Sequence, residues 1–408
     1  MCDCAVAVGS ATRRGGVVFG KNSDRERDEA QVVRSVPRAE HRRGASLRCS
    51  SLSLPQVRET HAILGSGPFW CWGLEQGVND CGVAIGNESV FTHEELELPS
   101  EGLLGMDLVR LGLERARSAA EAVRILGELI ERHGQGGRGF LHLDLAYSNG
   151  FLIADATEAW TLQTSARRWA ARRVREVEAI SNQLSIGSDW ELASPDLEGF
   201  AIERGWWDAG RGRVDFSSAY RSTRIFAAAA SEGRLRRAHT LLESARGHID
   251  AETLWALLRD HGEGCTVPRA AERTDEAYFT LCAHNDIQQE TAASLVVESD
   301  RPPVWLALAA PCCSVYLPLS VGEPLPQALT CAGEQPSADS AWWQLRELQW
   351  AVQADFAKRL PRVRDAFAPL EQVWRRAAID GQALPSAAEA TAQALEVTAR
   401  LSRELAAL

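Results

Sequence analysis

Cysteine stands at position 2 of this chain, where removal of Met1 would place a thiol and a free α-amine on one residue. The reference pKa of an α-amine is about 7.7–8.0 and that of a thiol about 8.5, so a proton passes easily between them near neutral pH. Such a residue can attack an amide carbonyl without a separate base. Two alternatives stay open: Cys2 and Cys4 could form half of a metal site, or an exposed dithiol without a role.

A predicted β-hairpin over residues 4–20 brings polar side chains to Cys2. Antiparallel arms of similar length return the chain beside its starting point, so Lys21 and Asp24 should follow the second strand back to Cys2. The Asp24 carboxylate could accept a hydrogen bond from the α-ammonium, although a turn or helix-cap role also fits. Lys21, one of only two lysines, could lower the pKa of the thiol.

Two asparagines end apolar segments that are predicted to be strands, Asn87 after 82–86 and Asn182 after 179–181. A side-chain amide at such a place can donate to an oxyanion, although a local turn role is the alternative. Arg221 and Arg224 lie near the start of a predicted helix and could reach the site or bind a carboxylate. Because 42 residues are arginine, a surface role is the alternative for both.

Composition excludes several other functions. The net charge is -11 and no basic stripe with aromatics occurs, so we expect no nucleic acid partner. No apolar run approaches about 20 residues and no secretory signal is recognisable, so we expect no membrane partner, a cytoplasmic location and reduced thiols.

Metal-binding spacings are also missing from the sequence. No Cys-x-x-Cys or His-Glu-x-x-His occurs, so we expect no cofactor and no metal. His284, two residues after Cys282, is interpreted as a core or loop histidine.

The order of predicted elements favours an α+β fold. Strands, a helix pair, more strands, more helices and a last set of strands follow one another, unlike the regular alternation of a doubly wound sheet. We therefore expect sheets packed under helical layers over 2–330. A helical appendage with a tryptophan-rich face is expected over 335–408.

Several motifs occur in one order from residue 2 to about 220 and resemble those of the secernins. They are Cys2-Asp-Cys-Ala-Val-Ala, Phe19-Gly-Lys-Asn-Ser-Asp-Arg25, Trp70-x-Trp72-Gly-x-Glu75, Asn79-Asp-Cys-Gly-Val-Ala-Ile-Gly-Asn87-Glu88, Gly105-Met-Asp-Leu-Val-Arg-Leu-Gly-Leu-Glu114, His133-Gly-Gln-Gly-Gly137, Glu158-Ala-Trp160, Ser181-Asn-Gln-Leu-Ser185 and Gly205-Trp-Trp207. Secernins are similar to the dipeptidase A family and, more distantly, to penicillin V acylase and bile-salt hydrolase. The resemblance implies a four-layer αββα N-terminal-nucleophile fold with a C-terminal helical appendage.

The resemblance also implies roles for residues around Cys2. Cys2 takes the position of the nucleophile and Asp24 that of the aspartate that contacts the N-terminal amine. Lys21 falls where the acylases have an arginine, so its role stays open. Cys4 is a rival nucleophile, because some secernins carry their cysteine at that register.

By the same resemblance, Asn87 and Asn182 match two asparagines near the oxyanion, and Arg221 or Arg224 matches a helix arginine. The implied activity is that of a cysteine-type amidohydrolase, a dipeptidase acting on short peptides. An acylase or acyltransferase on small amides and a non-catalytic regulatory protein are the alternatives. The expected partner is a small peptide or acyl-amide substrate, and a homo-oligomer is an open option.

Overall fold

A computed structural model describes residues 1–94, 98–222, 227–262, 280–284, 289–299 and 302–407, without the side chains of 227–230. Its strands are β1 (Cys2–Val8), β2 (Val17–Arg25), β3 (Gln31–Val36), β4 (Ala39–Glu40), β5 (Ser46–Arg48), β6 (Ser53–Pro55), β7 (Glu59–Thr60), β8 (Ile63–Pro68), β9 (Gln76–Asn79), β10 (Ala84–Val90), β11 (Ser148–Ala154), β12 (Ala159–Ser165), β13 (Arg168–Arg173), β14 (Val177–Ile180), β15 (Leu192–Ala193), β16 (Glu290–Glu298), β17 (Val304–Leu308) and β18 (Leu317–Leu319).

Several helices begin at recognisable caps. Ser118 accepts a hydrogen bond from the backbone of Glu121, while Asp250 and Ser386 each form a capping box, which satisfies backbone N–H groups that a helix start leaves unpaired. The described helices are α1 (Gly105–Arg115), α2 (Ala119–His133), α3 (Leu197–Glu203), α4 (Phe216–Tyr220), α5 (Ala227–Ser244), α6 (Ala251–Leu258), α7 (Gln327–Thr330), α8 (Ala341–Gln353), α9 (Phe356–Asp380) and α10 (Ala387–Ala406).

Two antiparallel sheets organise the molecule. The first has six strands in the order β14-β1-β2-β16-β17-β18, and the second has eight in the order β15-β13-β12-β11-β10-β9-β8-β3. Strand β1 contacts β10, so the sheets face each other there. Helices α5 and α6 pack on the first sheet, whereas α1 and α2 pack on the second. The mixture of helices and antiparallel sheets is the predicted α+β class.

The C-terminal helices pack against the first sheet and share its hydrophobic core. Trp342, Trp343 and Leu348 are buried in the same apolar cluster as β1 and β2. The indole N–H of Trp342 donates to the carbonyl of Ala292 in β16 at 2.8 Å. The apolar face predicted for this segment is therefore covered by the sheet.

The helix predicted over 217–231 is interrupted in the structure. Helix α4 ends at Tyr220, and Arg221 adopts an extended backbone that bridges to Thr92. No helix among the described residues is long and apolar enough to cross a membrane.

Candidate active site

The hairpin of β1 and β2 fixes the positions of the N-terminal side chains. Cys2 pairs with Ser23 and Cys4 with Lys21. Because side chains alternate along a strand, these four lie on one face. That face points to the second sheet, since a Cβ added at Gly86 of β10 would overlap the Lys21 and Cys4 side chains.

Asn182 holds the backbone nitrogen of Cys2. The Asn182 Oδ1 atom accepts from that nitrogen at 2.8 Å and from Arg234 Nη2 at 2.7 Å. Its Nδ2 atom donates to the Ser89 carbonyl at 2.9 Å. Both ends of this buried amide are therefore engaged, and its oxygen is the end that faces Cys2.

Asp24 is a fully buried carboxylate at the end of β2. Its Oδ1 atom accepts from Thr291 Oγ1 at 2.7 Å. Its Oδ2 atom lies 3.9 Å from Arg234 Nη1 and has no hydrogen-bond partner among the described residues. Burial raises the pKa of Asp24 to about 6, although the N-terminal ammonium and Arg234 oppose that shift. One carboxylate oxygen is thus left to receive a further donor.

The Cys2 thiol is held by backbone and by charge. Its Sγ atom accepts from the Asp24 N–H at 3.4 Å. Burial raises the pKa of this thiol, and the Lys21 ammonium opposes the shift. Lys21 Nζ donates to Ser23 Oγ at 2.7 Å. Burial alone would lower the pKa of Lys21, but Cys2 and buried acids hold it above its ordinary value, so the cation persists.

A small pocket opens on the Cys2 side chain. Its lining consists of Met1, Cys2, Asp24, Arg25, Glu75, Asn87, Ser89, Phe140 and Tyr147. Asn87 Nδ2 donates to Asn149 Oδ1 at 2.9 Å. A side-chain amide nitrogen carries two N–H groups, and the second has no acceptor among the described residues. Because Met1 forms part of the wall, its removal would enlarge the space beside the thiol. We call this region the Cys2 pocket.

One wall of the Cys2 pocket is a buried charge network. Arg25 donates to Glu29 through Nε at 2.9 Å and to the Gly139 carbonyl at 2.8 Å. It also pairs with Glu75 at 3.3 Å. Two carboxylates therefore pair with this one arginine, and the network rigidifies the wall beside the thiol.

The arginine that contacts the Cys2 backbone is Arg234 of α5. Besides Asn182, it binds Asp3 Oδ2 at 2.6 Å and lies 3.4 Å from the Cys2 carbonyl. Arg221 instead donates to the Leu184 carbonyl at 3.0 Å and pairs with Glu232 at 3.5 Å. Arg224 lies outside the described residues. Sequence reasoning missed Arg234, because only tertiary packing shows which of the 42 arginines reaches Cys2.

Cys4 has different surroundings from Cys2. It is buried between the sheets, beside Lys21 and the Glu88 carboxyl, and is not among the pocket-lining residues. Burial, with Glu88 next in importance, raises the pKa of the Cys4 thiol well above its ordinary value. Burial likewise raises the pKa of Glu88 to about 8. Burial therefore disfavours the charged form of both groups.

Comparison with solved structures gives distant likenesses. Penicillin V acylase from Agrobacterium tumefaciens is 13% identical with a TM-score of 0.44, over 78% of this chain and 86% of that one. The C2A mutant of conjugated bile acid hydrolase from Clostridium perfringens is 11% identical with a TM-score of 0.39, over 75% and 89%.

Comparison of this sequence with those of other proteins identifies its family. Probable dipeptidase A from Streptococcus pyogenes serotype M3 (strain SSI-1) is 31% identical over 140 residues, which is 33% of this chain and 27% of the relative, and the serotype M1 protein matches to the same extent. The match thus spans about a quarter of these relatives' length. The model of peptidase family C69 matches residues 10–247, more than half of the chain. The resemblance to dipeptidase A is confirmed, and the chain belongs to peptidase family C69.

Proposed function

We propose that this protein is a cysteine-type N-terminal-nucleophile amidohydrolase that cleaves short peptides as a dipeptidase. One observation carries the proposal: Asn182 Oδ1 holds the Cys2 nitrogen at 2.8 Å while the thiol of the same residue lines a pocket. Loss of Met1 would turn that nitrogen into a free α-amine within reach of the same Asn182 oxygen. The amine and the thiol are then within reach of each other and of a substrate carbonyl.

The proposed acylation begins with proton transfer from the Cys2 thiol to its own α-amine. The thiolate attacks the scissile carbonyl carbon, and the carbonyl oxygen becomes an oxyanion that the second Asn87 N–H stabilises. Asn182 Oδ1 and the unpaired Oδ2 of Asp24 accept hydrogen bonds from the new ammonium. Collapse breaks the C–N bond, and the ammonium returns its proton to the leaving amine.

Deacylation repeats the cycle with water. The α-amine of Cys2 accepts a proton from water, the hydroxide attacks the thioester, and the thiol re-forms on release of the acid. Lys21 contributes a fixed positive charge beside the sulfur, which favours the thiolate. Arg234 positions Asn182 and offsets the charges of Asp3 and Asp24, so we assign it a positioning role.

We further propose that residues 2–330 form a four-layer αββα N-terminal-nucleophile domain and that 335–408 form a helical extension. Support comes from α5 and α6 on the first sheet, α1 and α2 on the second, and the contact between β1 and β10. The extension packs on β17 and β18, which lie away from Cys2 in the first sheet.

The test is a substrate panel with the full chain after Met1 removal. We expect turnover of dipeptides, measured as free amino acids, and none with Cys2→Ala. That variant is a specific control for the thiol. Alanine at position 2 still allows Met1 removal and keeps the α-amine, so only the thiol is lost. Preference for N-acyl amides, or amide products when an amine is added, would assign acylase or acyltransferase activity. A folded, processed chain without any turnover would contradict the proposal.

A further inference from the structure

Four metal-binding side chains converge outside the Cys2 pocket. They are His261, Cys282, His284 and Cys312, and their donor atoms all lie within 4.8 Å of one another. Three of them are buried, and His261 is half-buried. We call this group the His–Cys cluster.

The separations from His284 suit one tetrahedral ion. His284 Nε2 lies 3.2 Å from His261 Nε2, 3.6 Å from Cys282 Sγ and 3.1 Å from Cys312 Sγ. Zinc bonds of about 2.0–2.1 Å to nitrogen and 2.3 Å to sulfur place tetrahedral ligands roughly 3.3–3.8 Å apart. Each separation is within a few tenths of an ångström of that range.

Three separate parts of the fold supply the ligands. His261 follows the end of α6, Cys282 and His284 lie on the segment 280–284, and Cys312 lies in the 3-10 turn Pro311–Cys313 after β17. Cys282 and His284 lie two residues apart on this segment, and the Cys282 Sγ atom is 3.6 Å from His284 Nε2. The fold brings together residues that no short sequence spacing connects.

The surroundings hold the ligands in place. Gln353 Nε2 lies 3.0 Å from His284 Nδ1, which leaves Nε2 toward the other donor atoms. The same Gln353 Nε2 atom donates to Glu290 Oε1 at 3.2 Å, so the amide is held between the His284 ring and a buried carboxylate. The Phe356 ring packs edge-on against His261 and His284, with centroids 5.2 Å and 5.3 Å away, and covers the cluster with apolar surface.

We propose that the His–Cys cluster binds one Zn²⁺ as a structural Cys2His2 site. Two thiolates neutralise the dication and two neutral imidazoles complete the tetrahedron, so the loaded site has no net charge, as burial requires. Binding releases the two thiol protons to solvent. All four positions are occupied by protein, so the ion has no open position for water or substrate.

The site would anchor the segment that supports Asp24. Ala283, between two of the ligands, donates its N–H to Thr291 Oγ1 at 2.8 Å, and Thr291 donates to Asp24 Oδ1 at 2.7 Å. The Thr291 N–H also donates to the Ala283 carbonyl at 3.0 Å. Zinc would thus fasten 280–284 to α6 and to the turn after β17, while Thr291 connects that segment to the Cys2 pocket.

The experiment uses the full chain, reduced, stripped of metal and titrated with Zn²⁺ or Co²⁺. We expect one ion per chain by elemental analysis, the visible absorption of tetrahedral Co²⁺ with two thiolates, and a melting temperature that rises with Zn²⁺. Cys312→Ser should abolish the Co²⁺ spectrum, while Cys313→Ser, one residue away on the same turn, should keep it.

His261→Ala tests the same site without disturbing a buried group. It should weaken Zn²⁺ binding by at least about 100-fold, more than loss of a supporting residue does. A folded wild type that binds no Zn²⁺ or Co²⁺ would overturn the proposal, and so would equal binding by wild type and Cys312→Ser. The wild-type titration needs no variant, so a variant that fails to fold cannot conceal a negative result.

Discussion

Cys2 and Cys4 occupy the same face of the same strand, two residues apart, yet their surroundings differ. Cys2 lines a pocket, and its backbone nitrogen and thiol both have polar partners. Cys4 is enclosed between the sheets beside Glu88, and its pKa lies well above the ordinary value. Lys21 lowers the pKa of both thiols, so the shared cation does not distinguish them.

The difference shows what makes a buried thiol a candidate nucleophile. Two features separate Cys2 from Cys4: access to a pocket, and a backbone nitrogen that the Asn182 side chain holds and that Met1 removal would free. Residue type, strand and face are the same. A thiol enclosed beside a carboxyl, with burial disfavouring the charged form of both, is instead a packing arrangement. The comparison therefore favours Cys2 over the rival nucleophile that the sequence left open.

Replacing each cysteine separately by alanine tests this comparison, and it has the largest expected effect on activity. Cys2→Ala should lower kcat on the order of 10⁴-fold or more, because the nucleophile is lost. Cys4→Ala should stay within about tenfold of wild type, because only a buried packing group is removed. Steady-state hydrolysis of the best dipeptide measures both, and a larger loss with Cys4→Ala would reverse the assignment.

Arg234 supports the Cys2 end of β1, and its removal should have the next largest effect. Arg234→Met leaves the buried Asp3 carboxylate unpaired, so we expect a loss of about 3–5 kcal/mol in the free energy of unfolding. Arg221→Met is the matched control, since that side chain is 35% exposed and its ion pair is worth about 0–1 kcal/mol. Denaturant unfolding at pH 7 compares them, and equal losses would argue against a special role for Arg234.

Within the Cys2 pocket, Asn87 is the proposed oxyanion donor, and its replacement tests whether this pocket is the active site. Asn87→Ala removes the proposed oxyanion donor and should lower kcat about 10²–10³-fold. A donor that acts in the transition state affects kcat more than KM, whereas a purely structural asparagine would change the melting temperature. Kinetics and thermal unfolding of the same variant separate these roles, and unchanged kcat would exclude Asn87 as the donor.

The surroundings of Cys4 can be tested through Glu88, which should make the free energy of unfolding depend on pH. Burial raises its pKa to about 8, so at pH 7 the folded chain keeps a proton that the unfolded chain, with the ordinary value of 4.5, has released. The free energy of unfolding therefore falls as pH rises from 4.5 to 8, by on the order of 3 kcal/mol at pH 7.

Glu88→Gln removes this pH dependence while it keeps the shape of the side chain. The variant should match wild type below pH 4.5 and gain stability over it as pH rises toward 8. Urea unfolding at several pH values measures the difference. A stability loss at pH 7, or a difference that does not grow with pH, would show that Glu88 is ionised and paired in the fold.

The sequence predicted the part of the site that a local hairpin determines. Lys21 and Asp24 follow a strand that returns beside Cys2, because antiparallel arms of matched length leave little choice. Arg234 could not be selected in the same way, since it reaches Cys2 through the packing of α5 on the first sheet.

The His–Cys cluster was beyond prediction for the same reason. Its ligands come from the end of α6, the segment 280–284 and a turn, and tertiary packing alone determines their distances. His284 was interpreted as a core or loop histidine, and it is buried, but its partners could not be read from the chain.

The most direct test of the central assignment is the intact mass of the native protein, before and after brief treatment with a thiol alkylator, with the label mapped by fragmentation. The account predicts that Met1 is absent and that Cys2 takes the label before Cys4. Retained Met1 in an active enzyme, or first labelling at Cys4, would contradict it, because the α-amine or the accessible thiol on which the mechanism depends would not be at Cys2.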